Sequence, residues 1–125
     1  MSHHVFLSYA QTDQSAIPAV ISSLRQRGVL GTQDLEFQDS FSVEAGADFR
    51  SWIRHAIGSA DMVVVYWTDA AAKSMSISYE AGMAEALGKR LILVRPAVNK
   101  IAPPSNLTDY STVLLPATPD STTTH

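Results

Sequence analysis

Apolar residues along this chain fall into two rhythms that alternate: short unbroken runs, and longer stripes at three- and four-residue spacing. Val5-Phe6-Leu7-Ser8-Tyr9 is a short run of β-type residues and predicts a buried strand. Thr12 and Asp13 then offer an N-cap, Ala16, Ile17, Val20, Ile21 and Leu24 follow at helical spacing, and Gly28 supplies a stop. Pro18 fits that helix only near its first turn, where a missing N–H costs nothing. Leu35-Glu36-Phe37-Gln38 alternates and predicts a second strand. Asp39 to Gly46 reads as a loop with two exposed hydrophobes, Phe41 and Val43. Phe49, Trp52, Ile53, Ala56 and Ile57 form an amphipathic stripe that Gly58 closes. Met62 to Trp67 is continuously apolar, the pattern of a strand covered on both faces. A helix within Lys73 to Arg90 feeds a strand at Leu91 to Val94, and a last strand fits Thr112 to Leu115.

Strands alternating with helices predict an α/β fold with a mostly parallel, doubly wound sheet. Pro96, Pro103 and Pro104 break any long helix after Arg95. The reading is one domain over residues 1–115 and a polar, Ser/Thr-rich tail over 116–125, with no internal repeat.

Composition narrows the function classes. The chain has 125 residues, 46% of them apolar, enough for a core. Its net charge of −3 gives no reason to expect nucleic acid or an anionic membrane as partner. There are no cysteines, so disulfides and Cys-ligated metals are excluded. No apolar run has the length of a membrane span, and Met1-Ser2-His3-His4 lacks a signal pattern, so a cytoplasmic protein is expected.

The candidate chemistry concentrates on one carboxylate. On a helix, Ile77, Glu80 and Ala84 share a face, which puts Glu80 on or beside the inward side, where a carboxylate is expensive. Glu85 is four residues before Lys89 and can pair with it in solvent. Glu80 either serves the helix dipole near the N-terminus or marks a site; the residues alone leave both readings open. Parallel sheets bind ligands beyond the carboxyl ends of their strands. Here those ends are Ser8-Tyr9-Ala10, Asp39 and Trp67-Thr68, and the Glu80 helix starts near the same edge. No Gly-rich phosphate loop follows the first strand, and no His/Asp cluster has metal spacing. His55 reads as a boundary packing residue, and His3, His4 and His125 as solvated termini. No serine sits in a nucleophile elbow.

Three blocks in order resemble TIR (Toll/interleukin receptor) domains from Val5 to about Leu115. They are Val5 to Tyr9; Asp39 through Glu44-Ala45-Gly46 and Phe49 to Trp52 up to Asp61; and Ser74 to Ala86. The resemblance implies a flavodoxin-like, five-stranded TIR fold. It also implies cleavage of NAD⁺ at the nicotinamide–ribose bond with Glu80 as the catalytic carboxylate. The chain most resembles stand-alone bacterial TIR proteins that make ADP-ribose-type signals, cyclic or conjugated, in antiphage defence. NAD⁺ is then substrate, with no further cofactor and no metal. The substrate would lie against Tyr9, Ala10, Asp39, Phe41, Gly46, Trp67, Ser74 and Ser76. Tyr9 and Trp67 would give stacking surface, although Trp67 also reads as ordinary core. Implied partners are other TIR protomers through the loop from Asp39 to Gly46 (the family's BB loop) and an effector that senses the product.

Two departures stand out. The family often has Trp-Cys ahead of the glutamate helix, where this chain has Ser76 and Ile77. The usual C-terminal helix has no counterpart in Pro116 to His125, so one sheet face is expected to be under-covered; either it serves assembly, the favoured reading, or the chain is a piece of a longer one. Two alternative functions follow. One is a non-enzymatic adaptor binding other TIR domains. The other is a nucleoside deoxyribosyltransferase-like enzyme, whose glutamate helix is similar to Glu80 to Lys89.

Overall fold

The computed structural model describes residues 3–28, 30, 35–39, 41, 48–96 and 111–115. The chain runs β1 (His3–Ser8), a 3₁₀ turn (Gln11–Ala16), α1 (Ile17–Gln26), β2 (Leu35–Asp39), α2 (Phe49–Ser59), β3 (Met62–Tyr66), α3 (Asp69–Ala72), α4 (Met75–Ala86), β4 (Arg90–Pro96) and β5 (Ser111–Leu115). The five strands form one sheet in the order β2-β1-β3-β4-β5, and every pairing is parallel. That is the flavodoxin-like order, with its switch point between β1 and β3.

Each face of the sheet carries its own core. Phe6, Val63, Val65, Leu91 and Leu93 face α2 and α4, meeting Ile53, Ile57, Ile77, Ala81 and Ala84. Val5, Leu7, Val64, Ile92 and Val94 point the other way, onto Ile17, Val20 and Leu24 of α1. Strands covered on both sides carry apolar residues at every position, which is why β3 and β4 read as unbroken runs. Pro18 stands in the first turn of α1, as its missing N–H requires. Gly28 and Gly88 end α1 and α4 with φ of +74° and +68°, a conformation that only glycine adopts without strain.

Local details differ from the sequence reading in four places. Thr12 and Asp13 do not cap α1: the chain winds as a 3₁₀ turn from Gln11, capped by neither side chain, and α1 starts only at Ile17. The carboxylate of Asp13 is engaged with Thr68 instead. Gly58 does not close α2, which runs to Ser59; the helix is opened by Asp48, whose carboxylate accepts from the Arg50 amide and the Ser51 hydroxyl. Those bonds, the Ser51 hydroxyl first, hold the Asp48 carboxyl below its usual range. His4 is not a solvated terminus: β1 starts at His3, paired with Leu35, and the His4 amide donates to Asp61 Oδ2. His55 lies on the exposed side of α2. The tail at 116–125, and with it the question of a C-terminal helix, lies outside the described residues.

Candidate functional site

Ser8 closes β1 and Tyr9 follows it; the two point to opposite faces of the sheet, and each meets a carboxylate. Ser8 shares the side of Phe6, against α4, and Tyr9 shares the side of Leu7, in the core that α1 covers. The Ser8 hydroxyl donates to Oε1 of Glu80 at 2.6 Å. The Tyr9 hydroxyl donates to Oδ2 of Asp39 at 2.5 Å. Ser8 is the last residue of β1 and pairs with Val65 of β3, so its bond to Glu80 lies at the carboxyl end of the sheet, on the switch point.

Glu80 is placed there by α4. Ser74 caps that helix, its side chain accepting from the Ile77 amide. Ile77, Glu80, Ala81 and Ala84 then form its buried stripe, as the three- and four-residue spacing predicts. Glu80 is 1% exposed, as is Ser8. It is the sixth residue of α4, beyond the first turn, where the pull of the helix dipole has faded. A buried charge outside that field is costly, so the fold stabilises it through specific contacts. Beyond the other end of α4, the Lys89 ammonium donates to the Gly58 carbonyl at 2.7 Å.

On the β2 side the contacts are equally defined. Asp39 lies opposite Leu7 in register, so the Tyr9 phenol reaches across one strand to it. The other Asp39 oxygen accepts from the Phe41 amide at 2.9 Å, a local turn that carries the chain out of β2. The Phe41 ring, 43% exposed, tilts against that of Tyr9 with centroids 5.2 Å apart. Burial first, then the bond to Asp39 and the negative charges of Asp39 and Glu80, push the Tyr9 phenol well above its ordinary range. Tyr9 is thus a neutral donor at any physiological pH.

Of the residues singled out in the sequence, Tyr9, Asp39 and Phe41 are in mutual contact, and Glu80 sits across β1 from them. Ala10 is half-buried at the start of the 3₁₀ turn. Trp67 is 3% exposed and packs in the core between the sheet and the α2–α4 layer, its amide donating to the Val94 carbonyl. Ser74 is engaged as a cap, and Ser76 is exposed one position into α4. Gly46 lies outside the described residues, as does most of the loop from Asp39 to Gly46.

Ser8 was not singled out. The signal was present: it stands two residues after Phe6, so alternation puts a hydroxyl on the core face, where it needs a partner.

Solved structures repeat this architecture at low sequence identity. The TIR domain of the Toll-related receptor TRR-2 from Hydra magnipapillata superposes with a TM-score of 0.66 at 16% identity, covering 88% of this chain and 82% of that one. The CMP N-glycosidase BcmB of Clostridium botulinum gives 0.56 at 20% identity, over 90% of this chain and 88% of the enzyme. The TIR domains of the activated Roq1 resistosome, which directly recognises the pathogen effector XopQ, give 0.55 at 20%, over 78% of this chain and 59% of that one. No curated protein matches the chain. The family model for TIR domains matches residues 5–121, nearly the whole sequence. The chain belongs to the TIR domain family.

Proposed function

We propose that this TIR domain cleaves the bond between nicotinamide and ribose in NAD⁺, with Glu80 as the catalytic carboxylate. The observation that carries this is the position of Glu80, a fully buried acid on the core side of α4 whose carboxylate reaches the carboxyl end of β1 at the strand switch. Fully buried acids are rare, and the carboxyl ends of the strands at a switch point are where such sheets bind ligands.

The chemistry fits one carboxylate. As the C1′–N bond breaks, its electron pair moves to the pyridinium nitrogen, so nicotinamide leaves neutral and needs no proton. Positive charge develops on the ribose, as in other glycosyl cleavages. A carboxylate fixed in a water-poor crevice stabilises that charge and accepts hydrogen bonds from ribose hydroxyls. Water capturing C1′ gives ADP-ribose after loss of its proton; capture by an adenine nitrogen of the same molecule gives a cyclic product. Asp39, Tyr9 and Phe41 form the opposite wall, with the exposed Phe41 ring as a stacking surface. Because Glu80 is 1% exposed, substrate reaches it only when rim side chains move, and slow turnover is expected of the isolated domain. Contact with further TIR protomers through the segment after Asp39 is the proposed means of opening, and a cytoplasmic signal in antiviral defence the proposed use of the product.

The test is nicotinamide release from NAD⁺, with products separated by mass, for wild type and Glu80→Gln at dilute and high protein concentration. Release by wild type and its loss in Glu80→Gln is the expected result. Release of a base from CMP or a nucleoside, with NAD⁺ untouched, would move the same site to nucleotide substrates. No release from any of these would overturn the enzymatic reading in favour of a TIR-binding adaptor.

A further inference from the structure

We propose that Ser8 is a positioning residue for the cleavage reaction: its hydroxyl fixes the Glu80 carboxylate in the orientation used at the ribose. This rests on the reading of Glu80 as the catalytic group and adds a second residue to it. Ser8 belongs to the sheet and Glu80 to a helix 72 positions later, so one bond joins the two layers at the site. The bond is 2.6 Å long, within the short range of hydroxyl-to-carboxylate pairs.

Geometry explains why such a partner is needed. The terminal torsion of a glutamate is broad, so the backbone of α4 alone leaves the plane of the carboxylate undetermined. The neighbours of Glu80 on the buried stripe, Ile77, Ala81 and Ala84, are apolar and offer no donor side chain. Ser8 is held between neighbours at the end of a strand with partners on both sides, β2 and β3, and its own place there is fixed by register with Val65. Ser8 is 1% exposed, so its hydroxyl cannot exchange this partner for bulk water. Fixing Oε1 against Ser8 fixes where Oε2 lies, and hence the direction from which negative charge meets the ribose. Misplacing a catalytic group by about 1 Å costs on the order of 100-fold in rate.

The expected effect of Ser8→Ala is therefore a kcat lower by roughly 10- to 100-fold with KM changed by less than about threefold, because an interaction realised mainly in the transition state is lost. Ser8→Thr keeps a hydroxyl and should recover most of the rate. Ser8→Cys, close to serine in size but a weak donor, guards against loss of fold and should resemble Ser8→Ala. The second readout is infrared absorption of protein labelled with ¹³C-glutamate, the Glu80 carboxylate band being the one missing from Glu80→Gln.

That band should shift in Ser8→Ala and Ser8→Cys and stay in place in Ser8→Thr. An unshifted band in the first two variants overturns the proposal, as does a shifted band with unchanged kcat. A shifted band in a protein whose wild type releases no nicotinamide overturns the NAD⁺ reading instead, and still assigns Ser8 as the residue that holds Glu80.

Discussion

Thr68 donates its hydroxyl to Oδ2 of Asp13 at 2.6 Å while accepting from the amide of Ala71. One side chain thus caps α3 and ties the segment after β3 to the turn after β1, across the switch point. Thr68→Ala removes both bonds, and an expected loss of about 1–2 kcal/mol follows from the cap alone. Thr68→Ser keeps both and should stay within about 0.5 kcal/mol of wild type. Urea unfolding of the two variants checks the difference; equal midpoints would show that the link contributes nothing.

The Tyr9 phenol gives the fold a defined alkaline limit. Its pKa in the folded chain lies above the ordinary value of about 10. The neutral form is therefore favoured by folding. Its contribution is fully present below about pH 10 and is lost as the pH rises from there through the folded pKa. Tyr66 adds to the same window, raised by burial and by the charge of Asp13. Melting temperature should thus fall above pH 10, and less steeply in Tyr9→Phe. Parallel slopes in the two proteins would refute the assignment.

Replacing Glu80 should separate activity from stability. Glu80→Gln keeps an acceptor for the Ser8 hydroxyl and removes the cost of burying a charge. Its melting temperature should equal or exceed that of wild type while turnover is lost. A clearly lower melting temperature would mean that the ionised carboxylate is itself a net structural support.

Two glycines of one helix should respond with opposite sign. Gly82 is exposed in the middle of α4, and a Cβ there meets nothing within 4 Å. Gly82→Ala should stabilise by roughly 0.5–1 kcal/mol. Gly88 has φ of +68° at the helix end, so Gly88→Ala should destabilise by about 1 kcal/mol or more. Thermal melts of both variants decide the pair of signs.

Ile77 joins the core to the site. It is buried against the sheet three residues before Glu80. Ile77→Ala should cost about 2–5 kcal/mol through transfer and cavity terms. Well below its melting point, it should also slow nicotinamide release by loosening the stripe that carries Glu80. Unfolding curves and initial rates measured together test both halves.

Much of this architecture was legible because burial on both faces leaves little choice of residue. β3 and the Leu91 to Val94 run of β4 are apolar at every position, and Ile77, Glu80 and Ala84 showed their shared face through spacing alone. What escaped was decided by partners far away in sequence. Asp13 looks like a helix cap locally, yet its carboxylate is taken by Thr68, 55 residues later. Ser8 looks like a strand-end serine until Glu80 arrives 72 residues on. Trp67 is a different case: ordinary core packing was one of its two sequence readings, and it lies in the core because the alternation of β3 continues through it. Strand order lies beyond any local pattern, since it depends on which strands meet rather than on what each is made of.

The opposite outlook of Ser8 and Tyr9 makes an insertion in β1 a different kind of lesion from a substitution. Replacing either residue severs one anchor and leaves the other intact. Adding one residue ahead of them turns both over together, the hydroxyl toward Asp39 and the phenol toward Glu80, where their sizes no longer fit. The length of this strand is therefore under tighter constraint than its composition: a sequence that drifts by exchange can keep the crevice, and one that drifts by slippage loses both walls at once.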